Sequence, residues 1–292
     1  MFCLSGAFNI NSPIMPKDGN SFTGPASITG AGNHGFDLRS GTNAGSDNVT
    51  LTNLDVGGFD VSGVECWLGL TISGGRYHNN LHNGIGCGLV DTPDADVLID
   101  GAQVDHNGSL AELGRGGGGM KFARADGLVV RNTETFLNIG DAIWCDVQCD
   151  DVRYINNLVY GNTRKGLFME KASGPWVASG NTVQGNSCSP AYWAPKPWCP
   201  NVNPVHQTAT SWGPRDNDAG IGLVSSKNAV IEANVLGGDG ARNGIKIRQD
   251  DRIGTCSTCG WIISNVVIRN NTMNGEKIED CSLPGGTCSG NR

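Results

Sequence analysis

The stretch Val129-Val130-Arg131-Asn132-Thr133, followed by Tyr154-Ile155-Asn156-Asn157-Leu158 and Val177-Ala178-Ser179-Gly180-Asn181-Thr182, decides how this chain is read. Each segment is a short apolar run, then a polar turn carrying Asn or Gly, then a second short run. Working outward, the pattern recurs at Leu51-Thr52-Asn53-Leu54-Asp55-Val56, Leu98-Ile99-Asp100-Gly101-Ala102, Ile231-Glu232-Ala233-Asn234-Val235 and Ile268-Arg269-Asn270-Asn271-Thr272. Aligned on the last Asn or Gly of each turn, the markers fall at 53, 74, 101, 132, 157, 181, 234 and 271, and the regular gaps run from 21 to 31 residues. A repeat of that length is the mark of a stacked, quasi-one-dimensional architecture.

Three short strands in each repeat of about 24–30 residues describe one coil of a parallel β-helix, an all-β solenoid. A leucine scaffold with a helical half, the other common architecture of this period, is absent. Coils stack at the spacing of strands in a sheet, about 4.8 Å. Apolar side chains between turns point inward into a continuous core. Asn at one turn in successive coils builds a hydrogen-bonded ladder, and it tolerates the left-handed backbone such turns require. The expected organisation is one β-helix domain over residues 1–292, interrupted by a surface loop at 186–218 that holds Trp193, Trp198 and Trp212.

Composition agrees. The chain has 44 Gly and only 38% hydrophobic residues, yet apolar triplets recur throughout, so many short strands fit better than disorder. A net charge of −7 and a pI near 5.2 disfavour nucleic acid as a partner. Eleven cysteines point to an oxidising compartment, hence an extracellular or secreted protein. Three close pairs invite disulfides: Cys188 with Cys199, Cys256 with Cys259, and Cys281 with Cys288. Cys256-x-x-Cys259 lacks the second cysteine or histidine pair of a zinc finger. No membrane-spanning stretch is evident, and Met1 to Gly6 lacks the basic start and apolar core of a signal peptide. An open β-helix end exposes unpaired backbone, so upstream residues or an association partner are expected to cover it.

The segments Gly118-Gly119-Met120-Lys121-Phe122, Leu128-Val129-Val130-Arg131-Asn132, Gly140-Asp141-Ala142-Ile143-Trp144-Cys145-Asp146, Tyr154-Ile155-Asn156-Asn157 and Gly166-Leu167-Phe168-Met169-Glu170 resemble the right-handed parallel β-helix repeat proteins of the pectate-lyase-like superfamily. Met15-Pro16-Lys17-Asp18-Gly19-Asn20-Ser21-Phe22 resembles the entry to such helices. The resemblance spans nearly the whole chain and implies a right-handed parallel β-helix. It leaves the reaction open, because that superfamily hosts lyases, hydrolases, epimerases and tailspike-type adhesins.

A Gly-led strand precedes each Asn turn: Gly84 to Gly88, Gly117 to Lys121, Ala142 to Asp146, Gly166 to Glu170, Gly220 to Val224 and Gly244 to Arg248. Strand side chains alternate faces. With the apolar second and fourth positions inside, the outward fifth position reads Gly88, Lys121, Asp146, Glu170, Val224, Arg248, and the third reads Gly86, Gly119, Trp144, Phe168, Gly222, Lys246. This alignment predicts a charged column Lys121, Asp146, Glu170 and Arg248 with catalytic roles, beside exposed Trp144 and Phe168 and with Lys246 as substrate-binding groups. Glycines 86, 119 and 222 would keep the flanks low and form a groove. Asp146 and Glu170 on adjacent rungs, about 5 Å apart, suit a retaining glycosidase, or they could hold calcium while Lys121 or Arg248 takes a proton in β-elimination on a uronate. The function expected is a polysaccharide-active enzyme, a lyase ahead of a glycoside hydrolase, with calcium as a candidate cofactor. The alternative is a non-catalytic carbohydrate-binding or adhesive β-helix.

Overall fold

The computed structural model describes residues 1–39, 45–88, 96–109, 111–112, 116–186, 219–237, 244–249, 262–279 and 286–292. The expected loop at 186–218 therefore lies outside the described residues from position 187 onward.

The chain winds as a parallel β-helix, and the described residues contain three strands per coil. One coil comprises Gly118–Ala123, Val129–Arg131 and Glu134–Phe136. Among the described residues all pairings are parallel, and each strand inside the tube pairs with its counterparts in the coils before and after, the end strands with one neighbour alone. One wall is a nine-stranded sheet, ordered His34–Asp37, Ser62–Glu65, Asn83–Gly88, Gly118–Ala123, Asp141–Asp146, Leu167–Glu170, Ile221–Val224, Ile245–Arg248 and Ile278–Glu279. We call it the first wall. Leu167 pairs with Ile221 although 54 positions separate them, whereas Ile143 and Leu167 are 24 apart. The ladder of strands thus passes the 187–218 segment without losing register.

Inward positions stack like on like. On the first wall Ile85, Met120, Ile143, Leu167, Ile221 and Ile245 pair rung to rung, and all are at most 1% exposed. On the second, Leu51, Ile72, Ile99, Val130, Tyr154, Ala178, Ile231 and Ile268 do the same. Burying one such aliphatic side chain contributes about 1.5–3 kcal/mol, so the tube is held by repetition rather than by one compact centre.

The expected Asn ladder exists, and the described residues form two of them. At one corner Asn80, Asn107, Asn138, Asn162 and Asn186 are linked by Nδ2-to-Oδ1 bonds of 2.8 to 3.0 Å. At another, Asn157, Asn181, Asn234, Asn271 and Asn291 are linked at 2.9 Å. The sequence alignment merged two neighbouring columns. Asn53, Gly74, Gly101 and Asn132 are not rungs of the second ladder. They occupy the position before it, where Asn156, Gly180, Ala233 and Asn270 also sit, all with φ between 51° and 71°. The left-handed position and the ladder position are separate demands on adjacent residues, and Asn meets either one.

Two disulfides are seen among the described residues, Cys66–Cys87 between stacked coils and Cys145–Cys149 around a corner. Neither was among the pairs expected. Cys188, Cys199, Cys256, Cys259 and Cys281 lie outside the described residues, and Cys288 is disulfide-bonded. Stacking explains the missed pair: Cys66 and Cys87 are 21 residues apart in sequence but one rung apart in space, with Cα atoms 4.9 Å from each other.

Asn138 accepts from both the backbone and side-chain N–H groups of Asn107 and donates to Val104 O and Asn162 Oδ1, with no exposure. Asn138→Ala leaves several buried polar groups unpaired, each costing about 1–3 kcal/mol. The variant is expected to lose about 3 kcal/mol or more in denaturant unfolding, with unchanged β circular dichroism in buffer.

Candidate active site

The candidate site lies on the outer face of the first wall, whose register follows a pentapeptide repeated from coil to coil. Aligned by observed pairing, the segments are Gly35 to Arg39, Gly63 to Trp67, Gly84 to Gly88, Gly119 to Ala123, Ala142 to Asp146, Gly166 to Glu170, Gly220 to Val224 and Gly244 to Arg248. The third position therefore reads Asp37, Glu65, Gly86, Lys121, Trp144, Phe168, Gly222, Lys246. Lys121 pairs with Trp144, not with Asp146, so it stands two positions from the column expected for it. Ala123 holds the place opposite Asp146. The run Gly116 to Gly119 offers several glycines to align on, and the register uses Gly119, not Gly117, as the counterpart of Gly84 and Ala142.

Lys121 nevertheless reaches its expected neighbour diagonally. Its Nζ lies 3.3 Å from Asp146 Oδ2 and 3.8 Å from the centre of the Trp144 ring. Asp146 and Glu170 are rung neighbours as expected, and Glu170, Val224 and Arg248 continue that column. Lys246 lies two rungs beyond Phe168 in the other.

The two aromatics are not exposed. Trp144 and Phe168 stack with centroids 5.4 Å apart and are 9% and 3% exposed. Lys121 lies over one ring and Lys165 over the other, at 3.8 and 4.0 Å. A lysine places its apolar stem and its charge on a ring face together, which shields an aromatic on an outer wall. Glu170, Lys165 and Lys246 are buried here as well. Of the three glycines expected to form a groove, Gly222 is overlain by Lys165 and Gly119 packs against Thr135 and Asn138. Only Gly86 opens space.

That space is a cavity of about 580 Å³ on the first wall, and Lys121 is the only one of the expected site residues that lines it. The others come from the coils upstream: His34, Asp37, Arg39, Glu65, His82 and Asn83. Gly86 and Gly88 form its floor. A Cβ on Gly86 would lie 3.0 Å from both Glu65 Oε2 and Ser62 Oγ, and one on Gly88 would lie 3.0 Å from Arg39 Nη1. Two bare positions on adjacent faces of charged side chains thus leave room for a ligand.

The electrostatics of the cavity are unequal. Burial pushes the Glu65 carboxyl up to about 7; Arg39 opposes this through its charge and a hydrogen bond, Asp37 adds to it, and a backbone hydrogen bond involving Gly88 opposes it. The Arg39 guanidinium is 3.5 Å from Glu65 Oε1, a long contact on a half-exposed side chain. Burial also holds the His34 imidazole below its ordinary value; Asp37 opposes the shift, and Arg39 and His82 add to it. Near neutral pH the cavity therefore presents a neutral imidazole, a carboxyl at its midpoint, and the cations Arg39 and Lys121. His34 Nδ1, Ser62 Oγ and Asn83 Oδ1 are buried without a hydrogen-bond partner in the chain. Register places their residues side by side on three rungs. Unmet polar atoms along one edge of a cavity are what a hydroxyl-rich ligand would satisfy.

The signal for this site was present in the sequence. Gly35-Phe36-Asp37-Leu38-Arg39 and Gly63-Val64-Glu65-Cys66-Trp67 repeat the pentapeptide in the two coils before the Gly84 to Gly88 copy.

The calcium expectation finds a poor donor set. Asp146 is already met by Lys121, Glu170 is buried, and no group of three or more His, Cys, Asp or Glu side chains gathers among the described residues. Calcium takes six to eight oxygens, so no step is derived through it.

The family described as a right-handed β-helix region matches residues 26–196, more than half of the chain. The chain belongs to the right-handed β-helix family. Among solved structures, this β-helix protein is similar to the A-module of the Azotobacter vinelandii mannuronan C-5 epimerase AlgE4, at 13% identity and a TM-score of 0.61, over 99% of this chain and 85% of that one. It is similar to a double mutant of the periplasmic alginate epimerase AlgG, at 12% identity and a TM-score of 0.58, over 99% and 69%. The Dettilon tailspike protein matches at 13% identity with a TM-score of 0.47, and the β-helix spans 61% of its length. At these identities the likeness is one of fold. No curated protein matches the sequence. No helix among the described residues is long and apolar enough to cross a membrane.

Glu65 also couples the cavity to stability. Its folded pKa is raised from 4.5 to about 7, so the folded state holds the proton more tightly than the unfolded chain. The resulting penalty is absent below the unfolded value, grows as pH rises toward 7, and is complete above it, at about 3 kcal/mol. Glu65→Gln is expected to leave the melting temperature unchanged well below pH 4.5 and to raise it progressively through neutrality, as thermal melts across pH will register.

Proposed function

We propose that this β-helix is a polysaccharide-active enzyme that removes the C5 proton of a uronate residue seated over Gly86 and Gly88 and eliminates the sugar linked at C4. The observation that supports this reading is the pairing, in one cavity, of a neutral imidazole with a carboxyl of pKa about 7, flanked by two cations. An acid and a base with displaced pKa values are the working parts of proton-transfer chemistry near neutral pH.

Arg39 and Lys121 pair with the uronate carboxylate and lower the cost of negative charge developing next to it. His34 accepts the C5 proton. The electron pair forms the C4–C5 double bond, the C4–O4 bond breaks, and protonated Glu65 delivers its proton to the departing oxygen. Ser62, Asn83 and His82 hydrogen-bond sugar hydroxyls. A net charge of −7 would repel an acidic polymer at long range, so the two cations must supply the attraction locally. Fold likeness to alginate epimerases supports a uronate polymer as the ligand class. Disulfides within the chain support an extracellular or periplasmic setting.

Incubation with uronate polymers is expected to generate the ultraviolet absorbance of the unsaturated product, undiminished by EDTA. Glu65→Gln and His34→Ala should each lower kcat roughly a hundredfold or more, whereas Asp146→Asn and Glu170→Gln should retain turnover chemistry. The pH profile of kcat/KM should fall on the acid side as His34 gains a proton and above about 7 as Glu65 loses one. Inverted C5 centres without unsaturation would replace elimination by epimerisation. New reducing ends without unsaturation would mean hydrolysis, and activity restored by calcium after EDTA would return Asp146 and Glu170 to the mechanism. Retained binding with no product of any kind would leave a carbohydrate-binding or adhesive protein and refute the enzyme reading.

A further inference from the structure

Lys121 lines the cavity, but its side chain leans away from the cavity floor. On the outer face its rung neighbours are Gly86 upstream and Trp144 downstream. The side chain takes the downstream direction, with Nζ 3.8 Å from the centre of the Trp144 ring and 3.3 Å from Asp146 Oδ2. The backbone of Gly116 covers it there: a Cβ at that position would lie 2.5 Å from Lys121 Nζ and 2.7 Å from Trp144 Cζ3. Upstream the ground is bare. Gly86 and Gly88 carry no side chain, and Ala123, two residues on from Lys121 in its own strand, presents only a methyl group; all three line the cavity. A four-carbon stem reaches about 6 Å, more than the roughly 4.8 Å between rungs, so the ammonium has the length to serve either neighbouring rung.

We infer, on the uronate reading proposed above, that Lys121 is a two-position arm: parked on Asp146 and Trp144 while the cavity is empty, and drawn back over Gly86 by the carboxylate of an acidic sugar. Asp146 then competes with the ligand for one cation and sets how strongly the cavity selects acidic over neutral sugars. Each position pairs an ammonium with a carboxylate, so the exchange is close to balanced for a uronate. A neutral sugar offers the ammonium no charge in return for Asp146 and the indole face, and it leaves the arm parked. A ligand shifts such an equilibrium only by its differential affinity for the two states, and the charge of the sugar is that difference. The parked population lowers apparent affinity by the fraction of chains whose arm is not free. The Lys121 and Asp146 side chains are 22% and 20% exposed, so their pairing is weak enough to be exchanged. Asp146 is on this account a positioning residue, acting through Lys121.

The test is calorimetric binding to the full chain carrying His34→Ala, which arrests turnover. The probes are oligomers of mannuronate or galacturonate, and the same oligomers with their carboxyl groups reduced to alcohols. Adding Asp146→Asn should lower Kd for the acidic oligomers roughly three- to fivefold and leave binding of the reduced ones unchanged. In a Lys121→Met chain the same substitution should change Kd less than about twofold, since only the screened field of Asp146 is then removed. Trp144 emission, isolated as the difference between the His34→Ala chain and the same chain with Trp144→Phe, should shift as the acidic oligomer saturates and stay constant with the reduced one. Weaker uronate binding by Asp146→Asn, an equal gain with and without Lys121, or a Trp144 signal indifferent to saturating uronate each overturns the arm and leaves the uronate reading standing. A chain that binds neither acidic oligomer overturns both.

Discussion

Everything in this molecule depends on rung-to-rung register. Side chains alternate faces along a strand, so a coil displaced by one residue would turn its apolar set outward and its charged set into the core. The two Asn ladders fix that register at two corners. Within a ladder, as at Asn138, the Asn oxygen accepts from the coil before it, and the amide donates to the coil after it and to a carbonyl of the coil before. A buried amide that is satisfied only in one alignment penalises every other alignment, which a column of leucine cannot do. The disulfide between Cys66 and Cys87 applies the same constraint covalently, directly beneath the cavity.

With the register fixed, the outer face of the first wall divides into two electrostatic zones that meet at Lys121. Downstream, charge and aromatic rings are packed together: Lys121 and Lys165 cover Trp144 and Phe168, and Asp146 balances Lys121. Upstream, two glycines withdraw the wall, and the side chains around them keep unmet hydrogen-bonding atoms and displaced pKa values. The same surface is self-satisfied in one half and receptive in the other. The difference lies in what stands over the bare positions: Lys165 overlies Gly222 downstream, whereas Gly86 and Gly88 line the cavity upstream.

The fold was legible because solenoids write their geometry as a period. Apolar triplets, turn residues and repeat length each pointed to stacked coils, and one ladder was anticipated at Asn157, Asn181, Asn234 and Asn271. The site was legible only in part. Spacing in sequence measures space faithfully only while turns keep one length, and the corner after Ala123 is one residue shorter than the corner after Asp146: Val129 pairs with Arg153. Added to the one-residue confusion between ladder and left-handed columns, this displaced Lys121 by two. Burial of Trp144, Phe168 and Glu170 could not be read from their own strand, since the lysine that covers Phe168 belongs to the preceding turn. Glu65 and Arg39 stood in the right pattern, but no local feature of either residue announces a shifted pKa.

The cavity lies on the first described coils of the tube. Among the described residues His34–Asp37 heads the first wall, and beyond it a single bridge joins Ile14 to Phe36. A stack of nearest-neighbour units loosens from its ends inward, because a terminal unit has one neighbour where the others have two. Among the described coils, His34, Asp37 and Arg39 therefore have less of the stack on their outer side than Lys121 on the opposite rim, which is anchored several coils inside. Whatever rests against the first rung governs how long the two rims of the pocket stay in mutual alignment.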